Sequence, residues 1–272
     1  MRIINLIENT IGAAGLTPEH GLSFYIETKK HRLLMDAGAS DLVLENALGK
    51  KVDLSRVDTV VLSHGHYDHG GGLPYFNTIN TEAKIYMKKS ALDDYYSYHD
   101  RYRYIGIDKA VGDYPNVIFS DGNTVIDEEL ELFSDICYYE PVSDNNRKLK
   151  RYENGEYIQD VFEHEQCLII KEGDKEILFS GCAHHGILNI IKSYVKQYDR
   201  VPDAVVSGFH LKKKEGYEES DTVEFTKLAE NLKKYETVFY TMHCTDVLPY
   251  EIMKKVMGDK LFYLHCGDEL II

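Results

Sequence analysis

Four potential metal ligands lie within six residues of each other in the segment 63–72, which reads SHGHYDHGGG. His64 and His66 are two positions apart, so in an extended backbone their imidazoles can project to the same side. Asp68 and His69 follow where the chain can turn away, so they can face a second ion. Neutral imidazoles together with a carboxylate suit zinc, iron or manganese. The spacing therefore predicts a site for two divalent metal ions, in preference to a polar loop of solvated histidines.

Predicted strands end shortly before this segment and before a second group of candidate ligands. The β-branched run Thr59–Ser63 precedes the histidine segment. Three later strands are each followed by polar residues that can ligate a metal: Ile177–Ser180 before Cys182 and His184, Ala204–Ser207 before His210, and Val238–Thr241 before His243. Because the ends of parallel strands gather at one sheet edge, we expect His184 and His243 to complete the metal shell, with Cys182 close by.

Two further histidines each have more than one interpretation. His210 could ligate a metal, contact a substrate or be a hydrogen-bonded structural residue. His20, in the turn Glu19-His20-Gly21, could line the pocket, but a capping or core role is an equal alternative. The residue types alone do not separate these roles.

The composition limits the partners of the protein. Its 45 acidic residues against 31 Lys and Arg give a net charge of −14. This argues against nucleic acid or an anionic membrane as a partner, because phosphate binding depends on clustered basic residues. No apolar run approaches the roughly 18 residues of a membrane span. Five widely spread cysteines do not form a disulfide framework, which favours a reducing, cytoplasmic setting.

The length of 272 residues suits a single domain with one unusual stretch. Eleven of the 21 tyrosines fall between Tyr86 and Tyr157, where long apolar runs are few. We interpret the region 86–157 as irregular structure with short strands that forms a lid or insertion, with an ordinary surface excursion as the alternative. Hairpins early and β–α alternation late in the chain predict sheets between helical layers.

The segment His64–His69 resembles the signature of the metallo-β-lactamase superfamily. The resemblance implies an α/β fold, the αββα four-layer sandwich, with metals at one edge of the sheets. The segment Leu33–Gly38 resembles the upstream strand of that family, which ends in Asp and Gly. In the family this aspartate braces the histidine loop, so Asp36 is expected to hold the ligands in place.

Five segments occur in the order typical of one subgroup, the dihydropterin-ribofuranosylaminobenzene-phosphate-synthase-like proteins: Glu19–Ser23, Leu62–Leu73, Ser180–His184, Gly208–Leu211 and His243–Thr245. The chain departs from the superfamily at Cys182, where members with two metals usually carry a bridging Asp. Either the Cys182 thiolate ligates, which favours zinc, or the bridge is absent and His184 serves instead. His164 lies near the position of the family's middle histidine ligand, so His164 and His184 compete for one role.

The resemblance implies a metal-dependent hydrolase. Two divalent ions, zinc foremost with iron and manganese as alternatives, would activate a water molecule, and Asp68 would both ligate a metal and orient that water. Lys212–Lys214 could place positive charge at the pocket mouth, which favours a small anionic substrate such as a phosphoester, with a solvated surface run as the equal alternative. The subgroup suggests an alternative, a synthase that joins a dihydropterin to a ribofuranosylaminobenzene phosphate.

Overall fold

The computed structural model describes residues 1–13 and 15–272. Within them the strands, in chain order, are β1 (Arg2–Ile7), β2 (Ser23–Glu27), β3 (Arg32–Met35), β4 (Thr59–Val61), β5 (Lys84–Lys88), β6 (Asp94–Tyr98), β7 (Tyr102–Tyr104), β8 (Val117–Ser120), β9 (Thr124–Val125), β10 (Leu130–Phe133), β11 (Leu149–Glu153), β12 (Glu156–Gln159), β13 (Cys167–Glu172), β14 (Lys175–Phe179), β15 (Ala204–Val206), β16 (Val238–Thr241), β17 (Leu261–Tyr263) and β18 (Glu269–Ile271). The helices are α1 (Leu42–Gly49), α2 (Tyr67–Gly70), α3 (Leu73–Ile79), α4 (Ile187–Tyr198), α5 (Glu219–Leu232) and α6 (Val247–Met257).

The chain divides into two compact units. The first unit consists of Met1–Thr124, Arg147–Gln166 and His265–Ile272, and the second of Val125–Asn146 and Cys167–Leu264. The predicted lid or insertion, 86–157, contributes residues to both units. Its role as a lid stays a prediction.

The first unit is built on a mixed sheet in the order β18-β1-β2-β3-β4-β5-β8. The strands from β18 to β3 pair antiparallel, and those from β3 to β8 pair parallel. Helices α1 and α3 contribute Val43 and Phe76 to a core that contains Ile4, Leu34 and Val60. Alternate residues of the central strands face the other side of the sheet and are buried too, which explains the continuous apolar runs in the sequence.

The tyrosine-rich region forms a second, smaller sheet in the first unit. Its four strands lie in the order β12-β11-β6-β7 and pair antiparallel. Tyrosines cover it, and the rings of Tyr102 and Tyr157 stack with centroids 3.6 Å apart. The region is therefore more regular than the sequence suggested, because paired aromatic side chains across strands stabilise a small sheet.

The second unit is built on a sheet in the order β17-β16-β15-β14-β13-β10-β9. Helices α4, α5 and α6 contribute Ile190, Phe225 and Met253 to a core with Leu178 and Val205. This arrangement follows from the regular β–α alternation of the second half of the sequence.

Strands β14, β15, β16 and β17 run parallel, so the residues that follow them emerge at one edge of the second unit's sheet. In that register Phe179 at the end of β14 lies opposite Val206 at the end of β15. The loops that begin at residues 180, 207 and 242 therefore start side by side. These are the loops with the later candidate ligands.

No helix formed by the described residues has the length and apolar character needed to cross a membrane. None of the five cysteines, each within the described part of the chain, forms a disulfide.

Candidate metal centre

In the first unit, Asp36 anchors the start of the histidine segment. It follows strand β3 and holds a positive φ of 59°. Its carboxylate accepts hydrogen bonds from the backbone N–H of Ser63 at 2.7 Å and from the Ser63 hydroxyl at 2.7 Å. The Asp36 side chain is fully buried, so these bonds fix the point where the chain leaves strand β4.

Asp36 and Ser63 also set the tautomers of two histidines. Nδ1 of His69 lies 2.6 Å from Oδ2 of Asp36, and because an ionised carboxylate only accepts, Nδ1 is the donor. The Ser63 hydroxyl donates to Asp36 and therefore accepts from Nδ1 of His64 at 2.9 Å. In both rings Nε2 then carries the lone pair, which is the form that binds a metal ion.

His66 lies beside His64, with the two ring centroids 4.5 Å apart. Its Nε2 is 4.0 Å from Oδ2 of Asp160. Burial lowers the pKa of His66 to about 3. The ring is therefore neutral at pH 7, as a metal ligand must be.

His164 uses both ring nitrogens in hydrogen bonds within the first unit. Nδ1 accepts from the backbone N–H of Gly65 at 2.9 Å, and Nε2 donates to Oδ2 of Asp160 at 3.1 Å. A side chain at Gly65 would collide with the backbone of Ala91, so only glycine lets the histidine segment pass this close to residue 91. His164 thus supports the histidine segment, and with both ring nitrogens engaged it offers no lone pair to a metal; the choice between His164 and His184 as a ligand stays a prediction.

The Asp160 carboxyl keeps its charge in this buried position. Burial works to raise its pKa, but the hydrogen bonds from Nε2 of His164 and from the backbone N–H of Phe162 outweigh burial and leave the pKa below its ordinary value. Asp160 was not among the residues singled out from the sequence. Its position four residues before His164 was the only available signal.

Asp68 lies in the short helix α2, at a place where the sequence suggested a loop. Its Oδ2 is 3.9 Å from Nε2 of His69 and 3.4 Å from Nε2 of His20. The His69 side chain is fully buried, whereas the His20 side chain is 51% exposed. The Asp68 carboxylate therefore lies between a buried imidazole and one that can exchange protons with solvent.

The second unit carries its own group of donors. Cys182, His184 and His210 each offer a ligand atom within 4.8 Å of those of the other two, and so do Cys182, His243 and Cys244. All of these side chains except His210 are buried. The loops after β14, β15 and β16 thus bring together the residues that the positional argument grouped.

Hydrogen bonds hold these loops in place. The backbone N–H of Gly208 donates to the carbonyl of Gly181 at 2.8 Å. Asn146 donates through Nδ2 to the carbonyl of His184 at 2.7 Å and lies with its Oδ1 3.2 Å from Nδ1 of His184. That second bond makes Nδ1 the donor and gives Nε2 of His184 the lone pair.

Cys244 is a donor that the sequence reasoning did not single out, although it adjoins His243. The backbone N–H of His210 donates to its Sγ at 3.3 Å. Burial works to raise the pKa of the Cys244 thiol, but hydrogen bonds with Cys182 and His210 and the charges of the neighbouring histidines outweigh burial, and the pKa falls well below its ordinary value. The thiolate is the form of cysteine that ligates metals.

Several residues at the donor loops hold left-handed backbone conformations although they carry side chains. They are Asp36 in the first unit, with φ 59°, and Ala183, His210 and His243 in the second, with φ of 54°, 52° and 54°. Such conformations cost of the order of 1–3 kcal/mol each and persist where the surrounding structure imposes them, often at functional sites. His210 and His243 are candidate ligands, Ala183 lies between Cys182 and His184, and Asp36 is hydrogen-bonded to the candidate ligand His69.

The basic run Lys212–Lys214 is only partly available to an anion. Nζ of Lys213 bonds to the carboxylate of Asp221 in helix α5. Lys212 and Lys214 are exposed. Two of the three positive charges can therefore face an anionic ligand.

The donor chemistry fits a metal ion. Neutral imidazoles, carboxylates and thiolates are the ligands that zinc and other transition metals take, whereas magnesium and calcium prefer oxygen alone. The His, Cys and Asp clusters described here could thus hold a metal. The number and identity of the ions stay predictions, as do the individual ligand roles.

Comparison with known proteins gives concordant matches. The family model of the metallo-beta-lactamase superfamily matches residues 16–146. An uncharacterized protein of Methanocaldococcus jannaschii is 31% identical over 237 residues, which cover 84% of this chain and 84% of that protein. From the same organism, 7,8-dihydropterin-6-methyl-4-(beta-D-ribofuranosyl)-aminobenzene-5'-phosphate synthase is 26% identical over 269 residues, covering 92% of this chain and 88% of that protein.

Among solved structures, a metal-dependent hydrolase of the beta-lactamase superfamily superposes with a TM-score of 0.83 at 30% sequence identity, covering 100% of this chain and 99% of the other. The α/β fold expected from the histidine signature, the αββα sandwich of that superfamily, is therefore confirmed.

Proposed function

Because the chain belongs to the metallo-β-lactamase superfamily, we propose that it is a metal-dependent hydrolase that acts on a small anionic ester, a phosphoester in particular. The observation that carries the proposal is the pair of buried imidazoles, His64 and His69, whose Nδ1 atoms are engaged through Ser63 and Asp36. An arrangement that fixes Nε2 as the lone-pair nitrogen suits metal binding and has no evident value in a solvated loop.

The proposal includes two divalent ions, with zinc foremost and iron or manganese as alternatives. The residues that would hold them are the candidates His64, His66, Asp68 and His69 in the first unit, and His184 and His243 in the second, with Cys182 and His210 as further donors. Such ions lower the pKa of a bound water and polarise a carbonyl or phosphoryl oxygen.

Asp68 is the residue we assign to proton handling. Its Oδ2 can accept a proton from the attacking water, and His20 at 3.4 Å can pass that proton to solvent because its side chain is half exposed. In the net reaction the water oxygen bonds to phosphorus or carbon, the ester bond breaks, and the leaving oxygen takes a proton.

The preference for an anionic substrate is supported by Lys212 and Lys214. Both are exposed and close in sequence to His210, in a protein whose net charge of −14 otherwise repels anions. A small substrate is favoured over nucleic acid, because two lysines provide too little positive charge for a polyanion.

A synthase is the second candidate. It is supported by the 26% identity, over most of both chains, to a protein named as a synthase that makes a dihydropterin-linked ribofuranosylaminobenzene phosphate. In this alternative the chain would join a dihydropterin to a ribofuranosylaminobenzene phosphate. The two candidate reactions differ in the substrates they need. Hydrolysis needs only the ester and water, whereas the synthase reaction needs a second organic substrate.

The test is a substrate panel run with metal-stripped protein and with protein reconstituted with zinc, iron or manganese. We expect phosphate or alcohol release from at least one phosphomonoester, phosphodiester or lactone, only after reconstitution. A parallel reaction supplies a dihydropterin with a ribofuranosylaminobenzene phosphate. If the synthase product forms and no substrate of the panel is hydrolysed, the synthase replaces the hydrolase as the proposed function. If neither the panel nor the synthase reaction gives product, both candidate functions are rejected.

A further inference from the structure

Two buried sulfur atoms in the second unit belong to the donor group described above. We propose that Cys182 and Cys244, together with His243, bind a thiophilic divalent cation, zinc foremost, so that Cys244 is a metal ligand in its own right. The inference rests on the proposed function only for the binding of a metal, and it does not depend on which reaction the protein catalyses.

The first argument is the spacing of the donors. Sγ of Cys182, a ring nitrogen of His243 and Sγ of Cys244 all lie within 4.8 Å of one another. Ligands of a tetrahedral zinc ion, at about 2.0–2.3 Å from the metal, are separated by roughly 3.3–3.8 Å. Small side-chain rotations would therefore bring these atoms to a common ion.

A second argument comes from the surroundings of Cys244. The backbone N–H of His210 points at its Sγ from 3.3 Å, a contact that stabilises negative charge on sulfur. A side chain at Gly208 would collide with that sulfur, so the glycine leaves the space that Sγ occupies. The loop after β15 is thus shaped around the Cys244 sulfur atom.

The fourth ligand is available close by. His184 and His210 each offer a ring nitrogen within 4.8 Å of Sγ of Cys182. A site with two thiolates and two imidazoles is a common structural form of bound zinc, and sulfur selects against magnesium, calcium and manganese.

The contrast with Cys266 shows how a purely structural thiol behaves in this chain. Its Sγ donates to the backbone carbonyls of Leu6 at 3.4 Å and Thr17 at 3.8 Å. Burial raises the pKa of the Cys266 thiol to about 11, so this sulfur keeps its proton at neutral pH. Donation to a carbonyl does not by itself distinguish it, because Sγ of Cys244 also donates to the backbone carbonyl of Cys182, at 3.6 Å. Cys266 and the exposed Cys137 are therefore matched controls, one buried and one accessible.

The first experiment uses the unaltered protein loaded with zinc and measures zinc K-edge X-ray absorption. We expect sulfur scatterers at about 2.3 Å in addition to nitrogen or oxygen at about 2.0–2.1 Å. A spectrum with nitrogen and oxygen alone would overturn the proposal, whatever the substrate panel shows. A sulfur contribution in a protein without hydrolytic activity would support it while the proposed hydrolase fails.

The second experiment identifies the sulfur atoms by cobalt substitution in Cys182→Ser, Cys244→Ser and the double variant. Cobalt bound by thiolate gives near-ultraviolet charge-transfer absorption, which we expect to fall to about half in each single variant and to vanish in the double variant. Cys137→Ser and Cys266→Ser should keep the full band. An undiminished band in a folded Cys244→Ser protein would remove Cys244 from the ligand set and leave Cys182 alone.

Discussion

Nδ1 of His69 lies 2.6 Å from Oδ2 of Asp36, and both side chains are fully buried. One carboxylate thereby fixes the orientation of an imidazole and, through Ser63, that of His64 as well. A buried charge in this position is stabilised by hydrogen bonds, since its two oxygens accept three of them from neighbouring donors. Asp36 therefore couples the end of strand β3 to the candidate metal ligands.

Asp36→Asn should weaken metal binding more than it disturbs the fold. The amide keeps the size of the side chain but cannot accept from all three donors. The tautomers of His64 and His69 that carry the proton on Nδ1 are then no longer favoured. We expect zinc affinity to fall by about 10- to 100-fold, measured by competition with a chromogenic chelator.

The matched control is Asp58→Asn. Asp58 also contacts a histidine, with Oδ1 2.9 Å from Nδ1 of His31, but this pair lies at the protein surface. The zinc affinity of the Asp58→Asn variant should equal that of the unaltered protein. Equal affinity in both variants would mean that Asp36 does not act on the ligands.

Asp68→Ala should lower turnover far more than it lowers stability. It removes a candidate ligand and the proton acceptor together, while its side chain packs at the margin of the buried region, with 12% of it exposed. We expect a loss of about 100-fold or more on whichever substrate the panel identifies. Unchanged turnover at normal metal content would contradict the role of Asp68.

His184→Ala and His243→Ala should each reduce metal occupancy by at least about tenfold at limiting zinc, as measured by elemental analysis after gel filtration. Both side chains are buried among other donors in the second unit. His31→Ala, which alters a histidine hydrogen-bonded to Asp58, should leave occupancy intact. Full occupancy in His184→Ala would return the contested ligand role to His164.

Stability of the metal-free protein should depend on His66 below neutral pH. Burial lowers the pKa of His66 to about 3 in the folded chain, against about 6.5 when unfolded. Between these values the unfolded state binds the proton and the folded state does not, so stability falls as pH falls. At pH 5 the loss relative to pH 7 amounts to about 2 kcal/mol.

Urea unfolding of chelator-treated protein at pH 7 and pH 5 measures this effect. His66→Gln removes the titrating ring, so the variant should lose about 2 kcal/mol less than the unaltered protein over the same pH interval. The same loss in both proteins would show that the His66 pKa is not lowered in the folded state.

Local sequence patterns were sufficient to predict much of the fold. The apolar run Val238–Thr241 has in the structure the same bounds that the sequence indicated, and the strand expected at Ala204–Ser207 ends one residue earlier, at Val206. Helix α3 is hard to predict from local sequence, because the glycines before it and Pro74 within it are typical of a loop, whereas proline is well accommodated in the first turn of a helix.

The candidate site was predictable only in part, for a physical reason. Position after a strand end identified His184 and His243 as candidates, since the register of parallel strands places such residues at one edge. The hydrogen bonding of His164, which decides whether it has a lone pair for a metal, depends on Asp160 and on the backbone N–H of Gly65. Gly65 lies nearly 100 positions away in the sequence. No local pattern reports a hydrogen-bond partner at that separation.

Gly208→Ala tests whether the loop after β15 is shaped around the sulfur of Cys244. The backbone of Gly208 does not require a positive φ, so alanine is conformationally acceptable there. Its Cβ would collide with Sγ of Cys244 and lie 3.2 Å from the carbonyl oxygen of Gly181, so the sulfur must move. We expect the metal-free protein to lose about 1–3 kcal/mol of unfolding free energy through overpacking, and zinc affinity to fall as well.

A double-mutant cycle with Cys244→Ala separates this collision from any other effect of the extra methyl group. Removing the sulfur vacates the space that the new Cβ needs, so the Gly208→Ala substitution should cost at least about 1 kcal/mol less in the Cys244→Ala background. Urea unfolding of the four metal-free proteins measures the coupling. If the two costs simply add, the methyl group does not act through Cys244, and the glycine is required for the approach to the Gly181 carbonyl instead. A clear coupling means that the residue type at position 208 is dictated by the place of a sulfur atom 36 positions further along the chain.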